Sequence, residues 1–315
     1  MIQRLVEMLA AANQGGEALG PAAATSSHWS LAVDILAEQG NLAALRHANP
    51  ILEAAFPDNP HLAFISRLAV LAPDRAEDLR FINDPAKDYQ AVIRPGSDCA
   101  LLVFCGRSQR VGFPLGLAHH WLASQGVTVV YLRDFAKMFF AEGLRSIAGG
   151  YGETVVELRR RLAEMGIRRI VCYGNSGGTF AALRFGLDLE AAAILAFGGP
   201  SNLEPAFFQE HNLTVDCETL YLNRLDEAID LRPGFLRAAC PPRVRFYYGE
   251  DNSNDRLQAE NLSGLPSVRL CPQAGCHNHN VVRDVVMGGQ YGEALSWLVA
   301  DDQDADAVRL LGTTT

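Results

Sequence analysis

Helical periodicity dominates the chain before about residue 85, and short apolar runs dominate it afterwards. Between residues 27 and 78, apolar side chains recur every three or four positions, as at Leu31 and Ile35. This spacing is typical of one buried helix face. Gly40 interrupts the pattern, as expected between two helices. The periodicity predicts an N-terminal helical segment over residues 1–85.

The next part of the chain alternates short apolar runs with helical patterns. The runs span residues 91–93, 100–104, 127–132, 170–173, 192–197, 244–248 and 268–270. Near-continuous apolar strands are typical of a parallel sheet that is covered on both faces, because neither face of such a strand meets water. We therefore predict an α/β domain over residues 86–300, with a mostly parallel sheet sandwiched by helices.

Two further segments interrupt or follow this alternation. The connection over residues 201–240 is rich in Phe and Leu, and it is much longer than an ordinary strand-to-helix loop. We interpret it as a lid insertion. The acidic stretch over residues 301–315 ends in Gly and Thr residues, and we expect a mobile tail there.

Composition and charge narrow the classes of function. Apolar residues make up 49% and charged residues 20% of the chain, which is typical of a globular protein. The formal charge of −9 repels phosphate backbones and anionic lipids. We expect no nucleic-acid partner. No apolar run reaches the roughly 18 residues of a membrane span, so we expect none.

Cysteine usage indicates the compartment. The seven cysteines are odd in number and scattered, and several lie inside strand-like runs. This distribution favours reduced thiols over disulfides, and hence the cytoplasm. An acidic residue, Glu7, lies inside the short N-terminal apolar stretch, and no export signal is visible there.

The strongest chemical motif follows the run over residues 169–173. Here the chain reads Gly174-Asn175-Ser176-Gly177-Gly178 and continues into a helical pattern at residues 179–183. Strand, sharp turn and helix are the context of a serine nucleophile in a Gly-x-Ser-x-Gly elbow, where small neighbours let the strand and helix approach. The alternative is a structural turn capped by the serine. We predict that Ser176 is a nucleophile.

An attacking serine creates an oxyanion that needs two hydrogen-bond donors. The N–H of Gly177 directly follows the nucleophile at the start of the helix, where backbone N–H groups carry partial positive charge. The second donor is expected from the loop after residues 100–104, and we choose the N–H of Arg107. An ordinary strand-ending turn at Gly106 is the alternative.

A serine hydroxyl also needs a base that removes its proton. In proteins with a Gly-x-Ser-x-Gly elbow, the base follows the nucleophile and the acid along the chain. Here His277 and His279 follow the last strand-like run. We prefer His279 because it directly precedes the helix start at Val281, from which a loop side chain can lean over the sheet edge. His277 remains the alternative.

The carboxylate that orients the base is expected on the loop after residues 244–248. Asp251 and Asp255 are both there. Asp255 is our first choice, although it also suits a helix N-cap, and Asp251 suits the turn after Gly249.

The order of these features resembles the α/β-hydrolase superfamily over residues 86–300. The matching features are the glycine loop, Tyr131-Leu132-Arg133-Asp134 after the next strand, the serine elbow, the acidic loop and the late histidine. Cys105 departs from the pattern, because many members have His before the loop glycine. The spacing from Gly249 to either aspartate is also uncommon. The resemblance implies esterase, lipase, thioesterase, amidase or acyl-transfer chemistry.

Taken together, these features predict a serine hydrolase that cleaves a small-molecule or acyl ester, thioester or amide through an acyl-enzyme. No cofactor is implied. A zinc site at Cys271, Cys276, His277 and His279 lacks the usual paired spacing, so no metal is predicted. The alternative from another class is an inactive hydrolase fold that binds a partner through its N-terminal helices. Whether the chain forms a homo-oligomer stays open.

Overall fold

One sheet of seven strands organises the part of the chain that the structure describes. The computed structural model describes residues 2–12, 24–74, 81–211, 213 and 230–301. The strands are β1 (Tyr89–Val92), β2 (Cys99–Phe104), β3 (Thr128–Leu132), β4 (Arg169–Asn175), β5 (Ala193–Phe197), β6 (Arg243–Gly249) and β7 (Val268–Gln273). Each predicted apolar run falls on one of these strands.

The strand order explains why the sheet is buried on both faces. Across the sheet the order is β1-β3-β2-β4-β5-β6-β7. β1 pairs with β3 in the antiparallel direction, and every other pair is parallel. Parallel neighbours need crossover connections, and helices supply them here. The predicted class, a mostly parallel sheet sandwiched by helices, is confirmed.

The helices divide into an N-terminal set and a set that covers the sheet. The N-terminal helices are α1 (Ile2–Ala12), α2 (Ser26–Glu38), α3 (Leu42–Ala55) and α4 (Pro60–Leu71). The later helices are α5 (Leu115–Ser124), α6 (Tyr151–Glu164), α7 (Gly177–Asp188), α8 (Pro205–Glu210), α9 (Arg232–Arg237), α10 (Ser253–Glu260), α11 (Val281–Met287) and α12 (Tyr291–Val299).

Alternate side chains of each strand enter two separate cores. On β2, Leu101 and Val103 pack with α5, α11 and α12, whereas Leu102 and Phe104 pack with α6 and α7. This alternation follows from the two-residue repeat of a strand. Both faces of the central strands are therefore apolar, as the continuous runs predicted.

The N-terminal helices extend the first of these cores. Trp29 of α2 and Leu45 of α3 are fully buried in the same apolar cluster as Val103 of the sheet. The helical segment thus shares its core with one face of the α/β fold. The predicted boundary near residue 85 stays a prediction, since burial is continuous across it.

The end of α2 lies in backbone contact with the start of α5. A Cβ atom placed on Gly116 would lie 2.1 Å from the carbonyl oxygen of Glu38. Gly40, whose φ is +65°, would bring a Cβ within 2.9 Å of the carbonyl oxygen of Gly116. Glycine is required at both positions, and this close approach fixes α2 against the sheet-covering layer.

Part of the predicted lid and nearly all of the predicted tail lie outside the described residues. Of the lid over 201–240, residues 212 and 214–229 are not described, nor are residues 302–315 of the tail. Asn202 and Asp230 form an antiparallel bridge, so the chain leaves and rejoins the fold at one place. Lid and tail stay predictions.

Two further observations concern the length of the helices and the state of the cysteines. Within the described ranges, no helix is both long and apolar enough to cross a bilayer. The six cysteines in these ranges are free thiols: Cys99, Cys105, Cys172, Cys240, Cys271 and Cys276.

Candidate active site

Ser176 occupies the sharp turn between β4 and α7. Its φ of 55° and ψ of −126° lie in a region that L residues rarely adopt. Such a conformation costs about 1–3 kcal/mol and persists only where the surroundings hold it. Here the Ser176 N–H donates to the carbonyl of Phe197 at 2.9 Å, and its carbonyl accepts from the N–H of Thr179 at 2.9 Å. The predicted elbow geometry is present.

Two of the three glycines around the serine are required by packing. A Cβ on Gly178 would lie 2.1 Å from the carbonyl oxygen of Phe104, and one on Gly174 would lie 2.6 Å from that of Gly178. Gly177 differs, because a Cβ there would meet its nearest side-chain atom, Cγ of Arg107, at 3.4 Å. Glycine at 177 is therefore not needed for the approach of strand and helix, contrary to our expectation for all three.

The structure brings His279 to the serine. The Nε2 atom of His279 lies 2.7 Å from the Ser176 Oγ atom. His279 sits on the short connection between β7 and α11, two residues before the helix begins. This is the loop position from which the sequence predicted that an imidazole could reach the elbow.

Asp255 holds the far side of that imidazole. Both of its carboxylate oxygens lie 2.9 Å from His279 Nδ1, and one also accepts the backbone N–H of Gly199 at 3.0 Å. Asp255 lies in the first turn of α10, where the helix favours a negative charge. The cap of this helix is Asn252, whose side chain accepts from the Asp255 N–H at 3.1 Å. The N-cap interpretation of Asp255 is therefore wrong.

The alternative acid and base lie elsewhere and face each other. His277 Nε2 is 3.7 Å from an Asp251 carboxylate oxygen, and their side chains are 77% and 44% exposed. The Asp251 N–H donates to the carbonyl of Cys276, which agrees with a turn-shaping role. The structure joins neither residue to Ser176 through a hydrogen bond.

The environment of His279 shifts its protonation. Its hydrogen bond to Asp255, helped by the charge of that carboxylate, raises the pKa of His279 above the ordinary 6.5, although burial opposes the shift. Asp255 itself is buried, with a side chain 4% exposed. A buried carboxylate on one nitrogen and a hydroxyl on the other favour the tautomer that accepts a proton from the hydroxyl.

The loop after β2 lies directly against the elbow. A Cβ on Gly106 would lie 3.2 Å from the Ser176 Cβ and 3.0 Å from the carbonyl oxygen of Asn175. The adjacent Arg107 packs its Cγ atom against Gly177. The structure thus brings together the two residues predicted as oxyanion donors, Arg107 and Gly177. Their role as donors stays a prediction.

Cys105, the departure from the family pattern, is a buried neutral group. It is 1% exposed, and burial raises its pKa to about 12. The thiol therefore carries its proton at neutral pH and neither adds charge to the site nor competes as a nucleophile.

From the sequence, Phe139 and Phe140 after Asp134 suit either the wall of an apolar acyl pocket or packed core aromatics. Asp134 accepts the backbone N–H of Phe140 at 2.8 Å and so shapes the loop after β3. Phe140 is 1% exposed and packs edge-on against Phe104 in the core. Phe139, at φ 56°, approaches Gly177 instead, with a ring carbon 3.5 Å from a Cβ placed there. Only Phe139 of this pair borders the site.

Sequence reasoning missed the role of Gly199. A Cβ there would lie 2.0 Å from the carbonyl oxygen of Ser176, and its N–H donates to Asp255. The signal was available, because Gly198-Gly199 directly follows a central strand.

The residues considered as zinc ligands contact different partners and do not converge on one point. The Cys276 thiol donates a hydrogen bond to Asp284, with 3.2 Å between sulfur and oxygen. His279 faces Ser176, and His277 faces Asp251. In the described ranges, no group of three or more His, Cys, Asp or Glu residues is arranged to hold a metal ion.

Ser176, Asp255 and His279 each follow a different strand of the parallel part of the sheet. Ser176 follows β4, Asp255 follows β6 and His279 follows β7. Nucleophile, acid and base in this order, at the carboxyl ends of parallel strands, are the arrangement of one known architecture. The chain has the α/β-hydrolase fold. The sharp turn at Ser176 follows β4, the central strand of this sheet.

Comparisons with known proteins concern this fold. No protein-family model and no curated protein matches the chain. Among solved structures it is similar to a 2,6-dihydroxy-pseudo-oxynicotine hydrolase, at 18% identity and a TM-score of 0.49 over 93% of this chain and 95% of that one. It is similar to a Pyrococcus furiosus esterase, at 15% identity and a TM-score of 0.45 over 72% and 99%. A third is an S-formylglutathione hydrolase from Agrobacterium tumefaciens, at 14% identity and a TM-score of 0.45 over 70% and 93%.

Proposed function

We propose that this protein is a serine hydrolase that cleaves an ester, thioester or amide through an acyl-enzyme on Ser176. One observation carries the proposal. The Ser176 Oγ atom lies 2.7 Å from His279 Nε2, and His279 Nδ1 lies 2.9 Å from Asp255. These distances are within hydrogen-bonding reach for proton transfer from hydroxyl to imidazole.

The first half of the reaction forms the acyl-enzyme. As Oγ of Ser176 bonds to the substrate carbonyl carbon, His279 Nε2 takes the hydroxyl proton. Asp255 holds the resulting imidazolium in place and stabilises its charge. The carbonyl oxygen becomes an anion, and when the tetrahedral intermediate collapses, His279 returns the proton to the departing alcohol, thiol or amine.

The second half releases the acid and restores the enzyme. A water molecule attacks the acyl carbon while His279 Nε2 takes one of its protons. Collapse of this second intermediate breaks the bond to Ser176 Oγ, which regains the proton from His279. If an alcohol, thiol or amine takes the place of water, the same steps give acyl transfer.

The oxyanion donors in this mechanism are the backbone N–H groups of Gly177 and Arg107. Gly177 begins α7, so its N–H group carries the positive end of the helix dipole. Gly106 packs against Ser176, which keeps Arg107 beside the nucleophile. A donor aimed at the developing negative charge is worth about 3 kcal/mol of barrier lowering.

Two finer features of the proposal concern substrate and compartment. Phe139 borders Gly177, and we assign it to the wall that contacts the acyl part of the substrate. The free thiols of Cys99, Cys172 and Cys276 support action in the cytoplasm, where thiols stay reduced.

A fluorophosphonate probe tests the proposal directly. We expect the wild-type protein to be labelled covalently and Ser176→Ala to lose all labelling, because the probe reacts only with an activated serine. Ser263→Ala, which removes an exposed serine, is the matched control and is expected to label as the wild type does. Wild-type protein that resists the probe and turns over no ester, thioester or amide would instead favour an inactive fold that serves as a binding module.

A further inference from the structure

A cluster of charges joins helix α2 to the loop after β2. Arg110 lies on this loop, over residues 106–114, and its Nε atom is 2.6 Å from a Glu38 carboxylate oxygen. Its guanidinium also donates to Asp34 at 3.3 Å. Both carboxylates belong to α2 and lie four residues apart, so they face the loop from one side of the helix.

This cluster is a network rather than an isolated surface pair. The second oxygen of Glu38 accepts the backbone N–H of Leu115, at the start of α5, at 3.1 Å. The second oxygen of Asp34 lies 3.0 Å from the imidazole of His61 on α4. The Asp34 and Glu38 side chains are only 20% and 24% exposed. Shared partners and partial burial give such a network more weight than single exposed ion pairs have.

The protonation of Asp34 agrees with a permanent charge in this network. Burial by itself would raise the pKa of Asp34, but the hydrogen bond and charge of His61 and the charge of Arg110 bring it below its ordinary value. Asp34 therefore stays ionised at neutral pH and holds Arg110 as a carboxylate.

Backbone hydrogen bonds link Arg110 to Gly106, which lies against the turn at Ser176. The Arg110 carbonyl accepts the N–H of Gly106 at 2.8 Å, and the Gly106 carbonyl accepts the N–H of Gln109 at 2.8 Å. Gly106 in turn packs against Ser176. A shift of Arg110 therefore moves the backbone that carries Arg107.

The other end of this loop touches the segment that follows the imidazole. The side-chain amide of Asn280 donates to the Gly112 carbonyl at 2.8 Å. A Cβ on Gly112, whose φ is +93°, would lie 3.1 Å from Cβ of Val282. Residues 106–114 are thus held between α2 on one side and the connection that carries His279 on the other.

We propose that Asp34 and Glu38 are positioning residues: through Arg110 they fix the loop over residues 106–114 so that the Arg107 N–H points at the substrate oxygen that becomes an anion when Ser176 attacks. This inference rests on the proposed function. It gives the N-terminal helices a role inside the catalytic reaction, in contrast to a detached binding surface.

Small displacements of this loop matter because an oxyanion donor works only at the right place. A misplacement of about 1 Å can cost about a hundredfold in rate. The donor acts on the transition state, so its loss lowers kcat and leaves KM nearly unchanged. Loss of fold stability alone lacks this signature.

The test compares full-length wild type with Glu38→Gln, Asp34→Asn/Glu38→Gln, Arg110→Met and the combined Glu38→Gln/Arg110→Met. Gln at 38 can keep one oxygen as the acceptor for the Leu115 N–H and the Asn83 amide, while its NH2 group replaces the charged oxygen that accepts from Arg110. Glu53→Gln, at an exposed glutamate of α3, is the matched control. The measurements are kcat and KM on p-nitrophenyl acetate, Ki for an alkyl trifluoromethyl ketone, the melting temperature, and deuterium uptake of peptides covering residues 106–114.

We expect Asp34→Asn/Glu38→Gln to lower kcat about tenfold, with KM within twofold and Ki for the ketone raised in proportion, since the ketone adduct carries the same oxyanion. Deuterium uptake over residues 106–114 should rise. Glu38→Gln should have little further effect in the Arg110→Met background, because the charge acts through Arg110. Glu53→Gln should match the wild type.

Two results would overturn the inference while leaving the proposed function intact. One is a kcat of Asp34→Asn/Glu38→Gln that stays within twofold of that of an active wild type. The other is an effect of Glu38→Gln that is equally large with and without Arg110. If Asp34→Asn/Glu38→Gln does not fold, the double-mutant cycle of Glu38→Gln, Arg110→Met and their combination decides the question by itself. A wild type that neither labels nor turns over substrate removes the proposed function, and this role with it.

Discussion

Two carboxylate–imidazole pairs follow strands β6 and β7 of this protein, and only one of them contacts Ser176. Asp255 and His279 approach to 2.9 Å, and the Asp255 side chain is 4% exposed. Asp251 and His277 remain 3.7 Å apart, with side chains 44% and 77% exposed. The residue types are the same in both pairs, but only the first pair reaches Ser176.

Burial and a second hydrogen bond distinguish the pair that reaches Ser176 from the pair that does not. The Asp255 carboxylate is held by the Gly199 N–H and by its place in the first turn of α10. Water competes little there, so the charge acts strongly on the imidazole. In the exposed pair, solvent screens the attraction, and such a pair is typically worth less than about 1 kcal/mol.

The largest expected effect separates the two histidines. His279→Ala should lower kcat for ester hydrolysis by at least about 10⁴-fold, because the hydroxyl loses its base. His277→Ala should stay within about twofold of the wild type, since its exposed imidazole lies beside Asp251 and makes no hydrogen bond to Ser176. Steady-state kinetics on a p-nitrophenyl ester measures both. The reverse ranking would assign the base to His277.

The aspartates should differ somewhat less. Asp255→Asn should lower kcat by about 10³- to 10⁴-fold, because an amide neither stabilises the imidazolium nor keeps the required tautomer. Asp251→Asn is the matched control with the same chemical change on the exposed pair, and its kcat should be nearly that of the wild type. Comparable losses in both variants would show that burial does not distinguish the pairs.

The smallest effect is a shift in pH dependence. His279 must be neutral to accept the serine proton, and Asp255 raises its pKa. The acid limb of kcat/KM should therefore have its midpoint above the ordinary histidine value of 6.5, with activity falling as pH drops through it. In Asp255→Asn the midpoint of the residual activity should move to lower pH, and in Asp251→Asn it should not move. An unshifted limb in Asp255→Asn would mean that another group titrates.

Much of the fold could be predicted because its signals are local. Continuous apolar runs such as residues 100–104 and 192–197, alternating with helical patterns, are typical of a parallel sheet covered on both faces. The elbow at Ser176 was visible because a strand, a tight glycine turn and a helix follow each other along the chain. His279 was preferred over His277 from its distance to a helix start, and the structure places it at the serine. The catalytic roles of these residues stay predictions.

Other features depended on contacts between distant parts of the chain. Gly177 was expected to be small for packing, but the space beside it accommodates a Cβ, and only Gly174 and Gly178 are crowded. Phe139 and Phe140 are adjacent in sequence and both have a left-handed backbone, yet Phe140 is buried in the core whereas Phe139, half-buried against the same core, also borders the site. Neither outcome follows from residue type.

By itself the sequence determined the α/β class, the order of strands and helices along the chain, and the short list of candidates from which Ser176 stands out. Hydrophobic period and glycine turns act over a few residues, so they can be read without coordinates. Only the tertiary structure decided which histidine contacts the serine, which aspartate contacts that histidine, and that α2 binds Arg110 on the loop beside the serine. These choices depend on burial and on distances between residues far apart in sequence, which no local pattern encodes.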